Sequence, residues 1–342
     1  MRNKLLGTTA FMVLGTTIGV ANAGDVTTKD TLQLSIGGKI EQYFGGVGAF
    51  EDGGREDGFG INTDTEVYFT GKTTLDNGIT VAAVIQLEAQ TNSSTNADEQ
   101  YVTVSGSFGK IMAGQKDDAA TQLAISAPKE GAMDMLDVYF WLGQPNSGTF
   151  AGGLSDWGSD DATVMYFTPS FQGFTGAVSY TPNPGSALVP SQTASRDNLS
   201  VTLAYGNEFN GVGIDSDASA LFDLSQESWA VRSGLQLSYA GFAVGGSFLT
   251  QQGKDNRIKD TYMWDAGVSY ETGPYALAFT YAANEGGGAF TGDQQSYKLG
   301  ATYNMGPGID LVGNVFYAGM QSPGVNGDRD GVGAVGGIAI SF

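Results

Sequence analysis

The sequence predicts an all-β fold: a sixteen-stranded antiparallel transmembrane β-barrel with one loop folded inward as a constriction. Three observations lead there. Runs alternating between apolar and polar residues recur from Thr31 to Phe342. The connections between them alternate between tight turns and longer acidic or Gly-rich loops, as barrels that cross outer membranes do. One connection, about residues 117–161, is much longer than the others and has no period, and a long irregular insertion of this kind carries function or is disordered.

The first residues, MRNKLLGTTAFMVLGTTIGVANA, join a charged start (Arg2, Lys4) to a short apolar run and a small-residue end. This is the pattern of a secretory signal peptide spanning residues 1–23 rather than of a buried helix. No later stretch holds the roughly 18 continuous apolar residues of a membrane-spanning helix. No Pro- or Ser-rich linker divides residues 24–342, so the mature chain reads as one barrel domain.

Composition narrows the chemistry. The chain carries 16 basic and 36 acidic residues, a formal charge of −20. Removing Arg2 and Lys4 leaves 14 against 36, or −22. Such an excess argues against nucleic acid as a partner and favours attraction of cations. The chain contains no Cys and no His, which removes disulfides, Ser-His-Asp and Cys-His catalysis and most zinc or copper sites. Carboxylate-pair chemistry stays open; the expectation is that the protein is not an enzyme.

Taken in order, TLQLSIGGKIEQYF sets Leu32, Leu34, Ile36 and Ile40 on one face and Gln33, Ser35, Lys39 and Glu41 on the other. NTDTEVYFTGKTTL opposes Val67, Phe69 and Leu75 to Asp64, Glu66, Thr70 and Lys72. The hairpin signal Asp76-Asn77-Gly78 leads into ITVAAVIQLEAQ, followed by DEQYVTVSGSF and KIMAGQK. After the insertion come ATVMYFTPS, FTGAVSYTP, DNLSVTLAYG and VGIDSDASALF, the ninth and most weakly patterned run. SWAVRSGLQLSY, FAVGGSFLTQ, DTYMWDAGVSYE, YALAFTYAAN, DQQSYKLGATYN, IDLVGNVFYAG and DGVGAVGGIAISF complete sixteen. Tight turns are expected at Asp76–Gly78, Gly109, Phe171–Gly173, Asn207–Gly211, Ala240–Gly241, Thr272–Pro274 and Met305–Gly308; longer loops include Gly45–Gly60 and Met320–Asp330.

Closure follows from solvation. In hydrocarbon every backbone N–H and C=O must be paired, which for strands demands a barrel without edges. Apolar side chains then face lipid and polar ones the lumen, and sixteen strands enclose more space than side chains fill. Tyr180, Tyr205, Tyr239, Tyr270 and Tyr281 sit near strand ends on the apolar face, where interfacial girdles lie. A soluble sandwich would alternate too, but has no need of the two-sided loop asymmetry.

VMYFTPSFQGFTGAVSY (Val164–Tyr180), the preceding FGKIMAGQ (Phe108–Gln115) and the terminal aromatic of GIAISF (Phe342) resemble the general bacterial porins. The resemblance spans essentially the whole mature chain. It implies a homotrimer in the outer membrane of a Gram-negative bacterium, surrounded by outer-membrane lipid and lipopolysaccharide. The third loop would fold inward and each protomer would pass ions and small hydrophilic solutes, with Phe342 read by the outer-membrane assembly machinery. In the family an acidic loop faces a basic wall. Here the loop offers Asp117, Asp118, Glu130, Asp134 and Asp137, and lumen-phase bases are Lys39, Lys72, Lys116, Arg232 and Lys298, with Lys110 nearer the turns. Where family members often carry an arginine, between Val164 and Tyr166, this chain has Met165, which weakens the basic wall. The expectation is a passive diffusion channel that favours cations. The rivals are a substrate-selective channel with a binding site on the aromatic insertion, and a non-conducting structural barrel.

No cofactor is required. The acidic clusters Glu51–Asp57, Asp215–Asp217 and Asn326–Asp330 could hold Ca²⁺ or another divalent cation, but lack EF-hand spacing and read better as solvated loops. GVGAVG (Gly331–Gly336) lies in a strand with no helix beyond it, and the Gly71–Thr73 tripeptide lacks the glycine of a phosphate loop. The apolar run Met133–Leu142 reads as packing for the insertion against the inner wall or the protomer contact.

Overall fold

In the computed structural model the described residues are 26–27, 32–50, 58–89, 97–132, 141, 157, 161–182, 197–225, 227–253, 260–285, 293–320 and 329–342. The predicted signal peptide, the 51–57 acidic cluster and Asp134 and Asp137 lie outside them.

Sixteen long strands close into one antiparallel barrel. They are β2 (Gln33–Ala49), β3 (Gly58–Thr74), β4 (Thr80–Glu88), β5 (Ala97–Gly106), β6 (Gly109–Gln115), β7 (Ala162–Phe167), β8 (Phe174–Pro182) and β9 (Asp197–Phe209). Then follow β10 (Val212–Asp223), β11 (Ser228–Tyr239), β12 (Phe242–Gln252), β13 (Thr261–Thr272), β14 (Tyr275–Glu285), β15 (Gln294–Gly306), β16 (Ile309–Met320) and β17 (Arg329–Ser341). Each pairs with its sequence neighbour, and β17 closes onto β2 through Ile340↔Ile40. The two-residue β1 (Val26–Thr27) pairs with β2 at Leu34 and Gln33. It continues the line of β17, after which Phe342 exchanges backbone bonds with Gly38. No described helix is long and apolar enough to cross a membrane.

The period-two rule holds around the barrel. Leu34, Ile36, Val102, Ile111, Val201, Leu235, Val268, Leu299 and Val315 are exposed on the outer wall, as lipid-facing residues must be in an isolated protomer. Outward rings meet across strands, including Phe174–Tyr205, Phe242–Tyr270, Trp264–Tyr281, Tyr275–Tyr303 and Tyr281–Tyr297. They form two belts. At the tight end between β11 and β12, Ala240 (φ 52°) and Gly241 (φ 87°) both take left-handed conformations, the mirror-image turn whose twist matches flanking strands. A side chain on Gly241 would also run into the Glu271 carbonyl.

Two sequence expectations need correcting. The loop placed at Gly45–Gly60 is shorter, because β2 runs to Ala49 and β3 begins at Gly58; their glycines hide the alternation that marks a strand. Asp215 and Asp217 belong to β10, not to a loop, and Asp217 is buried against Arg232.

Candidate functional site

After Gln115, the end of β6, the described residues 116–132 leave the wall and run across its lumen face. Asp118 caps a single helical turn, α1 (Ala119–Gln122), by accepting from the Thr121 amide at 2.8 Å. The methyls of Ala119 and Ala120 are wholly buried. Beneath them the wall is apolar where a lumen is normally polar. Ala119 and Leu123 pack with Met112, Met165, Ala177 and Ala204, and Ala120 with Leu221, Ala230, Leu249 and Met263. Met165 also lies 3.0 Å from the Gln122 amide nitrogen. The residue that departs from the family's arginine is thus part of the seat of the loop.

From Ile125 the segment is pinned strand by strand. The Ile125 amide donates to Asp217 on β10 at 2.8 Å, and Arg232 on β11 donates to the Ile125 carbonyl at 2.5 Å. The Ala127 amide donates to Asp265 on β13 at 2.6 Å, and Thr280 on β14 donates to the Pro128 carbonyl at 2.8 Å. Thr302 on β15 accepts from Gly131 at 3.2 Å and donates to the Glu130 carboxylate at 2.7 Å. Asn314 on β16 accepts from Ala132 at 2.5 Å and donates to the Glu130 carbonyl at 3.1 Å. Seven peptide steps from Ile125 to Ala132 reach at most about 25 Å. The six inter-strand spacings from β10 to β16 measure about 29 Å along the wall. Only a nearly extended chain on the shorter inner track can make the crossing, and the residue before Pro128 is held extended by the proline ring.

Two tryptophans farther along the insertion, Trp141 and Trp157, also pack against the wall. Trp141 packs beside Ala132, Tyr43, Val47 and Phe316, against the lumen face of β2 and β16–β17. Trp157 is 1 % exposed, donates to Gln251 at 3.0 Å, and its carbonyl accepts from Asn198. Burying a side chain of this size removes enough apolar area to contribute about 2–3 kcal/mol.

Eight of the ten charged residues singled out from sequence lie among the described residues, and the loop separates them. Arg232 and Lys298 are 2 % and 1 % exposed on the wall the loop crosses, so neither is an open pore-lining base. Arg232 also donates to Asp217 at 2.5 Å. Asp118 is buried as a helix cap; burial pushes its carboxyl up, against the hydrogen bonds from Thr121 and Ser200. Glu130 is tied to Thr302. Asp117 and Lys116 begin the insertion, and Lys116 pairs with Glu99. Burial by itself would lower the Lys116 pKa, but the hydrogen bond and charge of Glu99 outweigh it and hold the ammonium above its ordinary value. Lys72 is exposed on the lumen face. Phe342 closes β17 against Gly38.

Opposite the loop stands an acidic wall that the sequence reading did not assemble. Lys39 bonds Asp64 at 2.7 Å and Glu66 at 2.9 Å, with Glu41 at 3.8 Å. Gln86 donates to Glu66 at 2.8 Å and to Asp98 at 3.1 Å, and Tyr68 donates to Glu66. Carboxylate oxygens of Asp64, Glu66 and Glu88 lie within 4.8 Å of one another. With Glu99 and Lys116 the patch holds six carboxylates (Glu41, Asp64, Glu66, Glu88, Asp98, Glu99) against two ammonium groups. The signal available in sequence was the even-numbered phase of β3 and β4, which Asp64, Glu66 and Glu88 share.

A family model described as Gram-negative porin matches residues 8–320. No curated protein matches the chain in sequence. Among solved structures the chain is similar to an anion-selective porin from Comamonas acidovorans, at 17 % identity over 91 % of this chain and 100 % of that one, with a TM-score of 0.66. It is similar to a porin refined at 1.8 Å resolution, at 16 % identity over 90 % and 100 % of the two chains, with a TM-score of 0.64. It is also similar to the in-vitro folded trimer form of OmpT from Vibrio cholerae, at 12 % identity over 92 % and 100 %, with a TM-score of 0.63. At these identities the likeness is one of fold.

Proposed function

The chain belongs to the Gram-negative porin family, and from that premise we propose that it is a passive diffusion channel for ions and small hydrophilic solutes that favours cations. Its place is the outer membrane, and its sixteen long strands form the channel wall. One observation carries the charge preference. The insertion lies across the half of the wall where Arg232 and Lys298 are buried, while β2–β5 on the opposite side present the acidic patch around Asp64 and Glu66. An ion on the open side therefore meets a net excess of carboxylates, and a lumen lined by one sign concentrates the opposite ion. The Comamonas relative is anion-selective; the fold is shared and the lining decides the sign.

Passive diffusion requires no catalyst and no cofactor, in keeping with a chain that has neither His nor Cys. Self-association as a trimer is supported by the outer wall. Every strand from β8 to β16 carries an outward Phe, Tyr or Trp, whereas the adjacent strands β4, β5 and β6 carry none. Gln100 and Gln115 pair on the outward face of that second arc, where a protein partner suits them better than hydrocarbon. Phe342, which follows the closing strand β17, is the candidate signal for the assembly machinery. Flux through proteoliposomes tests the reading: it rises linearly with solute concentration for open diffusion, whereas saturation by one solute would replace it with a substrate-specific site.

A further inference from the structure

Three lumen-facing glycines stand on alternate strands, Gly234 on β11, Gly267 on β13 and Gly300 on β15, each 33 residues from the next. They precede the following tight turn by six or seven residues, so they share one level of the barrel. Each is in register with a side chain that bonds the loop backbone: Gly234↔Asp217, Gly267↔Thr280 and Gly300↔Asn314. The loop rests on the glycine at each pair. A Cβ on Gly234 would overlap the Ile125 carbonyl, and one on Gly300 the Glu130 carbonyl. On Gly267 it would stand 2.9 Å from the wall's own Phe279 carbonyl oxygen, 3.1 Å from the Pro128 oxygen and 3.2 Å from the Ala127 Cβ.

We propose that these three glycine–polar register pairs determine the bore of the channel by fixing how closely the loop backbone lies on the wall. The polar partner pulls the loop in and the missing Cβ lets it come within contact distance. The wall cannot yield, because each of these strands is hydrogen-bonded on both sides. A methyl at Gly234 or Gly300 must therefore move the loop toward the axis, by about 1.5 Å or more to restore ordinary contact. The glycines act as specificity-determining residues for solute size without touching the solute.

The inference rests on the channel reading, and one experiment separates their failures. Single-channel conductance and the size limit for neutral sugars are measured for the parent, Gly48→Ala, Gly267→Ala, Gly234→Ala and Gly300→Ala. Gly48 faces open space and serves as the control. The expected order is parent equal to Gly48→Ala, a small loss for Gly267→Ala, and the largest loss of conductance with a lower size limit for Gly234→Ala and Gly300→Ala. Parent-like values in the last two, or larger conductance, overturn the proposal. A parent that inserts without conducting overturns the channel reading instead. If the alanine variants do not assemble, Thr280→Val and Thr280→Ser carry the test. Loss of the hydroxyl bond to Pro128 raises open-channel current noise and serine restores the quiet trace; a quiet Thr280→Val channel overturns the proposal.

Discussion

Replacing Arg232 with methionine removes a charged donor that ties the loop to β11 while leaving an apolar stem of similar length. The guanidinium donates to Asp217 and to the Ile125 carbonyl, both at 2.5 Å, and the Arg232 and Asp217 side chains are both fully buried. In the variant the Asp217 carboxylate stays buried with the Ile125 amide as its remaining described loop contact. Stranding one member of a buried ion pair costs about 3–5 kcal/mol. The strand ladder cannot relieve this, but the loop can, by lifting and admitting water to Asp217. The penalty therefore appears as local opening of residues 124–127 and not as loss of the barrel. At about 1.4 kcal/mol per tenfold, opening becomes between roughly a hundredfold and a few thousandfold more frequent. Amide hydrogen exchange reads it directly: Ile125 and Ala127 accelerate in Arg232→Met while Leu249 in β12 does not. Arg232→Lys, which keeps the charge and loses the two-armed geometry, falls between. Unchanged exchange at Ile125 in a folded Arg232→Met barrel would refute the argument that the buried pair holds the loop.

Neutralising the open wall with Asp64→Asn and Glu66→Gln strips both close partners from Lys39; the reversal potential in a salt gradient moves toward zero or past it, and an unmoved potential would place selection elsewhere. For Asp118, burial raises the folded pKa, so the folded chain holds this proton more tightly than the unfolded one. The stabilisation is complete below the ordinary carboxylate range near pH 4 and is lost as pH rises through the raised value. Asp118→Asn keeps a competent helix cap and flattens that part of the profile of heat-denaturation midpoint against pH; a profile identical to the parent's would show that Asp118 does not titrate there. On the outer wall, Val102→Trp, on β5, lowers the share of trimer in native mass measurements and Val244→Trp, on the aromatic arc, leaves it intact. Equal effects would remove the assigned interface.

The strands were legible because lipid on one side and water on the other impose period two, and all sixteen long strands fall where alternation placed them. The weak pattern of β10 has a physical reason. Its outward residues Ser216, Ala218 and Ala220 are small or polar, while inward Leu221 is covered through Ala120 and Trp157. The same rule puts Lys39, Lys72, Arg232 and Lys298 on the lumen face. It says nothing of their exposure, because the cover over Arg232 comes from Ile125, 107 residues away. Asp118 resembled a pore acid and is a helix cap, a distinction that needs the backbone of Thr121. Met112, Met165 and Leu249 in lumen phase were the available trace of the loop seat: apolar residues facing water-filled space need something to cover them.

The most direct test is the reversal potential and single-channel conductance of the purified protein in a planar bilayer under a salt gradient. The account predicts ohmic steps and a potential of the sign that marks cation preference. An anion-favouring potential would contradict the acidic open wall, and silence from protein shown to be inserted would contradict the channel itself.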